Sequence, residues 1–101
     1  MAAKSRTVII REIEEHIAAN GGAMAEWFVG VTDNPKKRLF SEHKLRESGD
    51  GWICRRALDD LQAREIEEYF RTVQKTTGWS KPTNADSVYV YAYKRKKHTS
   101  P

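Results

Sequence analysis

Apolar and polar positions alternate with two different periods along the chain, and the switches between those periods mark its elements. Val8, Ile9, Ile13 and Ile17 recur at helical spacing, Glu12, Glu14 and Glu15 occupy the other side, and Gly21-Gly22 ends the run. This predicts an amphipathic helix from about Thr7 to Asn20. Ala25 to Val31 is rich in aromatic and β-branched residues and reads as a strand. Asp33-Asn34-Pro35 is a turn in which Asp33 or Asn34 caps a helix that starts at Pro35 and continues to about Leu45, with Leu39 and Phe40 as its apolar contacts. A polar, glycine-bearing loop, Arg46 to Gly51, precedes a short strand from Trp52 to Ala57. Asp59 or Asp60 then caps a helix reaching about Gln74, and Asp59 with Gln62 fits a capping box. Its apolar stripe is Leu58, Leu61, Ile66, Tyr69, Phe70 and Val73. Thr76 to Ser87 is loop, and Val88 to Lys94 alternates strictly, with Val88, Val90 and Ala92 on one face and Tyr89, Tyr91 and Tyr93 on the other.

The predicted order is α-β-α-β-α-β. It implies a small α+β domain, three short strands in a largely antiparallel sheet covered by three helices. A chain of 101 residues suits one such domain. Residues 1–94 form it, and Arg95 to Pro101 is expected to be a basic, frayed tail. With 39% hydrophobic and 32% charged residues the composition is that of a folded chain. No run of 18 apolar residues and no secretory pattern is present, so neither a membrane partner nor export is expected. Cys54 is the single cysteine, which excludes an internal disulfide and a multi-cysteine zinc site and points to the cytoplasm.

The net charge of +4 belongs to one end. Lys94, Arg95, Lys96 and Lys97 supply four of the 18 basic residues, and the remaining 14 equal the 14 acidic ones. A basic end of this kind strengthens phosphate binding by counterion release, or serves as a solvated tail. Lys36, Lys37 and Arg55 extend the set of candidate nucleic-acid contacts. Arg38 lies close to the start of the second helix, where backbone amides favour anions and a guanidinium can grip two phosphate oxygens. The alternative is a solvated cationic helix face. Glu67 falls at the edge of the long helix's apolar stripe, a placement that suits a divalent-metal ligand or an acid/base, with Glu65 at the other edge and Glu68 near the outer face; the alternative is three acids that face solvent.

Phe28-Val29-Gly30, Arg38, and the segment Ala63-Arg64-Glu65-Ile66-Glu67 together resemble the GIY-YIG nuclease superfamily. In that family an aromatic-aliphatic-glycine strand leads into a helix bearing an arginine, and a later helix supplies a metal-binding glutamate. The resemblance covers about residues 25–74 and implies divalent-metal-dependent phosphodiester cleavage. Arg38 would steady the phosphate, Glu67 would hold Mg²⁺ or Mn²⁺, and a tyrosine would assist attack by water. Three departures accompany it. Phe28 stands where the family has a tyrosine, the upstream strand with its own tyrosine is not found, and the histidine expected four residues after Arg38 is replaced by Glu42, with His43 one place later. On an α-helix one residue is about 100°, which would turn His43 away from Arg38.

The last strand offers a replacement hydroxyl. If it fills the sheet position of the missing first strand, Tyr91 is the best candidate, with Tyr89 and Tyr93 behind it. The alternatives are ordinary packing of a tyrosine stripe, or base stacking. Trp27 and Trp52 read as core or rim residues, Trp79 as an exposed recognition residue, and Cys54 as a packed thiol.

The sequence supports three functions: a nucleic-acid-directed endonuclease, with DNA favoured over RNA; a non-catalytic nucleic-acid-binding module; and a small protein-interaction or inhibitor protein. Retention of Arg38 and Glu67 favours the first, and the missing hydroxyl at Phe28 the other two.

Overall fold

Ser5 starts the first helix by accepting a hydrogen bond from Val8 N at 3.3 Å, and helix α1 runs over Arg6–Asn20. Gly21 ends it with φ of 79°, a left-handed conformation that suits glycine. In this computed structural model residues 1–46, 51–78 and 83–100 are described. Trp79 lies outside them, as do parts of the two loops expected at 46–51 and 76–87. A short 3₁₀ turn at Met24–Glu26 leads into strand β1, Trp27–Thr32. The strand therefore starts two residues later than the sequence suggests.

The capping residues act as expected. Asn34 Oδ1 accepts from Lys37 N at 3.2 Å, and Pro35 opens the helical turn. The chain then forms a π-helix over Lys37–Glu42 rather than an α-helix to Leu45. Strand β2 is Trp52–Arg56 and helix α2 is Asp60–Thr72. At its start Gln62 N donates to Asp59 Oδ1 at 2.8 Å, and Gln62 Oε1 accepts from Leu58 N at 3.2 Å, one residue ahead of the cap that a capping box would use. Strand β3 is Tyr89–Lys94.

The sheet order is β1-β3-β2, with both pairings antiparallel. The last strand in sequence is thus the central one. Its register sets Gly30 opposite Tyr91 on one side and Cys54 opposite Tyr91 on the other. Both sheet edges are covered. Thr77 pairs along β1 through Val29 N to Thr77 O and Thr77 N to Trp27 O, and Lys4 N donates to Arg56 O beside β2.

Period-2 patterning divides the core cleanly. Trp27, Val29, Ile53, Val90 and Ala92 face α1 and α2, where they meet Ile9, Ile13, Ile17, Ala63, Ile66 and Phe70. Phe28, Cys54, Tyr91 and Tyr93 face the π-helical segment and pack against Leu39 and Leu45. The chain is a small α+β domain whose three-stranded sheet lies between two helices and one π-helical segment. The apolar stripe of α2 is narrower than its spacing suggests. Leu58, Leu61 and Val73 are 62%, 56% and 62% exposed, because Leu58 precedes the helix, Val73 caps its end and Leu61 overhangs a cleft. Among the described residues no helix is long and apolar enough to cross a membrane.

The segment after β3 does not fray. Arg95 N donates to Glu26 O at 2.7 Å, Lys96 and Thr99 close a turn, and Ser100 N donates to His43 O at 2.8 Å. Residues 95–100 therefore fold back over the π-helical side of the sheet, a result of main-chain bonding that polar sequence does not reveal.

Candidate active site

A cleft of about 280 Å³ opens between the π-helical segment, edge strand β1 and helix α2. Phe28, Gly30, Arg38, Glu67, Arg71 and Tyr91 are among its lining residues. The three residues expected to act together, Arg38, Glu67 and Tyr91, thus share one cavity although they come from three elements.

Tyr91 owes its place to Gly30. Facing it across the β1–β3 ladder, Gly30 leaves room for the phenol ring. A Cβ there would come within 2.5 Å of Tyr91 Cζ and 2.9 Å of Cε1. Tyr91 is fully buried, yet its hydroxyl reaches His43 Nε2 at 2.7 Å. Burial pushes the hydroxyl up to about 12, against the opposing pull of the neighbouring Arg38 guanidinium. Tyr93 is likewise raised, by burial first and by Tyr91 second.

His43 is where the sequence argument fails. In an α-helix the fifth residue after Arg38 points elsewhere, but this segment is a π-helix, and His43 N donates to Arg38 O at 2.8 Å, an i→i+5 bond. The wider turn takes up the extra residue and brings His43 back over the sheet, buried beneath Phe28, Tyr91 and Tyr93 with ring centroids 4.8, 5.4 and 4.8 Å away. Its Nδ1 lies 2.7 Å from the Ser100 carbonyl and 3.0 Å from Tyr93 Oη. A carbonyl only accepts, so Nδ1 carries the proton and Nε2 accepts from Tyr91.

Arg38 Nε sits 3.2 Å from Glu42 Oε1, an ion pair by distance. That N–H is nonetheless buried without an acceptor in hydrogen-bonding geometry among the described residues. A buried guanidinium donor left unsatisfied beside a cleft is what an incoming phosphate oxygen would satisfy.

Glu67 is more enclosed than its position at a stripe edge suggests, with 7% exposure. Its Oε2 accepts from Arg71 Nε at 3.0 Å, an i→i+4 pair. Burial raises its pKa above the usual glutamate value, and the Arg71 pairing only partly offsets this. Gly78 keeps the approach open: a Cβ there would meet Val29 O at 2.8 Å and Glu67 Oε2 at 3.3 Å. Glu65 and Glu68 are exposed at the rim of the same cleft. Among the described residues no three His, Cys, Asp or Glu side chains could together hold a metal ion.

The basic residues do not converge. Lys36 and Lys37 are exposed at the start of the π-helical segment, Lys36 lining a second, more apolar hollow with Phe40, Trp52 and Tyr89. Arg55 lies on the α1 side of the sheet, partly exposed and already paired: its Nε donates to Glu12 Oε1 at 2.7 Å, and Lys4 joins the same carboxylate at 3.0 Å. Both partners hold Glu12 below its usual pKa, Arg55 first and Lys4 second. The stem of Lys94 lies against Gly22, and Arg95 Nη1 donates to Thr77 Oγ1 at 3.3 Å. Lys96 and Lys97 are exposed. Burial pushes the Cys54 thiol up to about 11, so this residue packs rather than reacts. Comparison with family models, curated proteins and solved structures gives no match to the chain.

Proposed function

We propose that the cleft cleaves phosphodiester bonds of nucleic acid, DNA before RNA, on a GIY-YIG-like scaffold. The observation that supports this most is the meeting of Arg38, Glu67 and the Tyr91–His43 pair in one cavity. In-line hydrolysis needs charge neutralisation at the phosphate, a positioned proton acceptor and an anchor for a cation. Arg38 offers the first through its unsatisfied Nε–H. The Tyr91–His43 pair offers the second. Water gives a proton to Tyr91 Oη as Tyr91 passes its own to His43 Nε2. The hydroxide oxygen forms the new P–O bond while the in-line ester P–O bond breaks, and the leaving alkoxide takes a proton from solvent. The imidazolium, with Nδ1–H still on the Ser100 carbonyl, then releases its extra proton to solvent through Tyr91.

The residues fit a divalent cation of the Mg²⁺ or Mn²⁺ class. Glu67 is a desolvated carboxylate facing the cleft, and Mg²⁺ is commonly held by one or two carboxylates with water and substrate phosphate. When bound, such an ion supplies Lewis-acid stabilisation of charge on the phosphate and leaving oxygen. Arg71 would have to yield Glu67 Oε2 or share the carboxylate with the ion.

That same ion pair favours a second reading, a non-catalytic binding module in which Arg71 permanently occupies Glu67. The two are separated by incubating the protein with duplex, branched and single-stranded DNA and RNA in Mg²⁺ or Mn²⁺. Cleavage that Arg38→Ala and Glu67→Ala each abolish, with folding intact, supports the first reading. Cleavage surviving both substitutions refutes this site, and salt-dependent binding without cleavage by the unaltered protein supports the second.

A further inference from the structure

Ser100 lies 57 residues from His43 in sequence, and the two share a pair of bonds. Ser100 N donates to His43 O at 2.8 Å, and His43 Nδ1 donates to Ser100 O at 2.7 Å. We propose that the Ser100 main chain is a positioning element of the cleft: its carbonyl fixes His43 in the Nδ1–H tautomer, so that Nε2 faces Tyr91 as a proton acceptor. The catalytic use of this arrangement rests on the phosphodiesterase reading; the tautomer itself does not.

The neighbouring donors and acceptors permit one assignment. With the proton on Nδ1, the Ser100 carbonyl accepts it, Tyr93 Oη at 3.0 Å takes a weaker share, and the Tyr93 hydroxyl donates to Ser100 O at 3.4 Å. Nε2 then holds a lone pair 2.7 Å from Tyr91 Oη, and the Tyr91 proton has an acceptor. With the proton on Nε2 instead, the Nδ1 lone pair would oppose the carbonyl lone pairs at 2.7 Å, and Tyr91 would lose its acceptor. The segment carrying Ser100 is itself held. Lys96 N donates to Thr99 Oγ1 at 2.9 Å, Thr99 N donates to Lys96 O at 3.1 Å, and Arg95 N is tied to Glu26 O at 2.7 Å. A residue that lends only a carbonyl thereby acts on the chemistry through the ring it orients, as outer-shell partners of functional histidines do.

The test is imidazole nitrogen NMR of the ¹⁵N-histidine-labelled full chain. For His43, Nδ1 should show the protonated nitrogen signature and Nε2 the unprotonated one. A chain ending at His98 lacks the carbonyl but keeps Arg95, Lys96 and Lys97; Ser100→Pro removes the N–H anchor of the segment. Both should average or reverse the two nitrogen signals while far-ultraviolet circular dichroism stays unchanged. Tyr93→Phe, which spares Ser100, should leave Nδ1 protonated. A full chain with Nε2 protonated, or a folded shortened chain with unaltered signals, overturns the proposal. In cleavage assays the shortened chain should lose on the order of 10²-fold in kcat with KM little changed, the lower range of what a positioned base contributes. A full chain that shows the expected tautomer but never cleaves would refute the phosphodiesterase reading and leave the tautomer assignment standing.

Discussion

Replacing Gly30 by alanine tests the geometry on which the candidate site depends. The new methyl would fall 2.5 Å from Tyr91 Cζ and 2.9 Å from Cε1, well inside contact distance. Tyr91 has little room to yield, because it is fully buried, stacks on Phe28 with centroids 6.2 Å apart, and gives its hydroxyl to His43. Two costs therefore combine. Over-packing a filled interior costs about 1–3 kcal/mol. If the ring is driven aside, the buried His43 Nε2 loses its partner, at about 1–3 kcal/mol more. Together they amount to about 2–6 kcal/mol, against a total stability of roughly 5–15 kcal/mol for a domain of this kind.

Guanidinium unfolding followed by circular dichroism reads that loss directly, and thermal melting should show a midpoint lower by about 10 °C or more. Gly21→Ala is the control. Its methyl meets nothing within 4 Å, and only the backbone, at φ 79° and ψ 177°, is strained, at about 1–3 kcal/mol. A double-mutant cycle isolates the contact: in a Tyr91→Ala background the added methyl has nothing to strike, so the Gly30→Ala penalty should nearly vanish. Gly30→Ala within about 0.5 kcal/mol of the parent protein, or an equal penalty in both backgrounds, would show that the ring does not lie over Gly30.

Burial sets two further outcomes. Ile66→Asp places an unpaired charge in the core between α2 and the sheet and should cost roughly 3–5 kcal/mol, whereas Val73→Asp on exposed surface should change stability by less than about 0.5 kcal/mol; equal melting of the two variants would contradict the packing of α2. Glu67→Gln tests the raised carboxyl. A folded-state pKa above the unfolded value of 4.5 means that Glu67 contributes stability below that pH and loses it as pH rises through the folded value. The glutamine variant lacks this loss, so its stability relative to the parent should improve from about pH 4.5 toward pH 7 in urea titrations; a difference that falls with pH would assign Glu67 a depressed value instead.

The fold is legible in the sequence wherever a period decides the outcome. Strict alternation over Val88–Lys94 tells Val90 and Ala92 from Tyr91 and Tyr93, and the structure sends the first pair to the helices and the second to the π-helical side. Asp59 marks the start of α2 because a side-chain cap on the first free amides is a local bonding pattern. Periodicity gives a direction and not a length, which is why it misplaces Leu58 and Val73 at the ends of a helix whose middle, Ala63, Ile66 and Phe70, packs as expected. Arg55 misleads for a related reason. Charge counts show a surplus or a balance, and only the fold shows that Glu12 lies across from it.

The site is half legible, and the illegible half has one physical origin. Arg38, Glu67 and Tyr91 are candidates through the resemblance carried by the sequence, and the fold gathers the three in one cleft. His43 cannot be found that way, because its usefulness depends on a departure from the α-helical period. Five residues beyond Arg38 is the wrong face of an α-helix and one turn of a π-helix, and the i→i+5 bond from His43 N to Arg38 O makes the difference. The wider turn keeps Leu39 buried and brings His43 beneath Tyr91. Tyr91 brings a hydroxyl to the cleft from the central strand, through the Gly30–Tyr91 register. Arg38 and Glu67 can be proposed from the sequence, whereas an acceptor for the Tyr91 proton becomes visible only in the folded arrangement of His43 and Ser100.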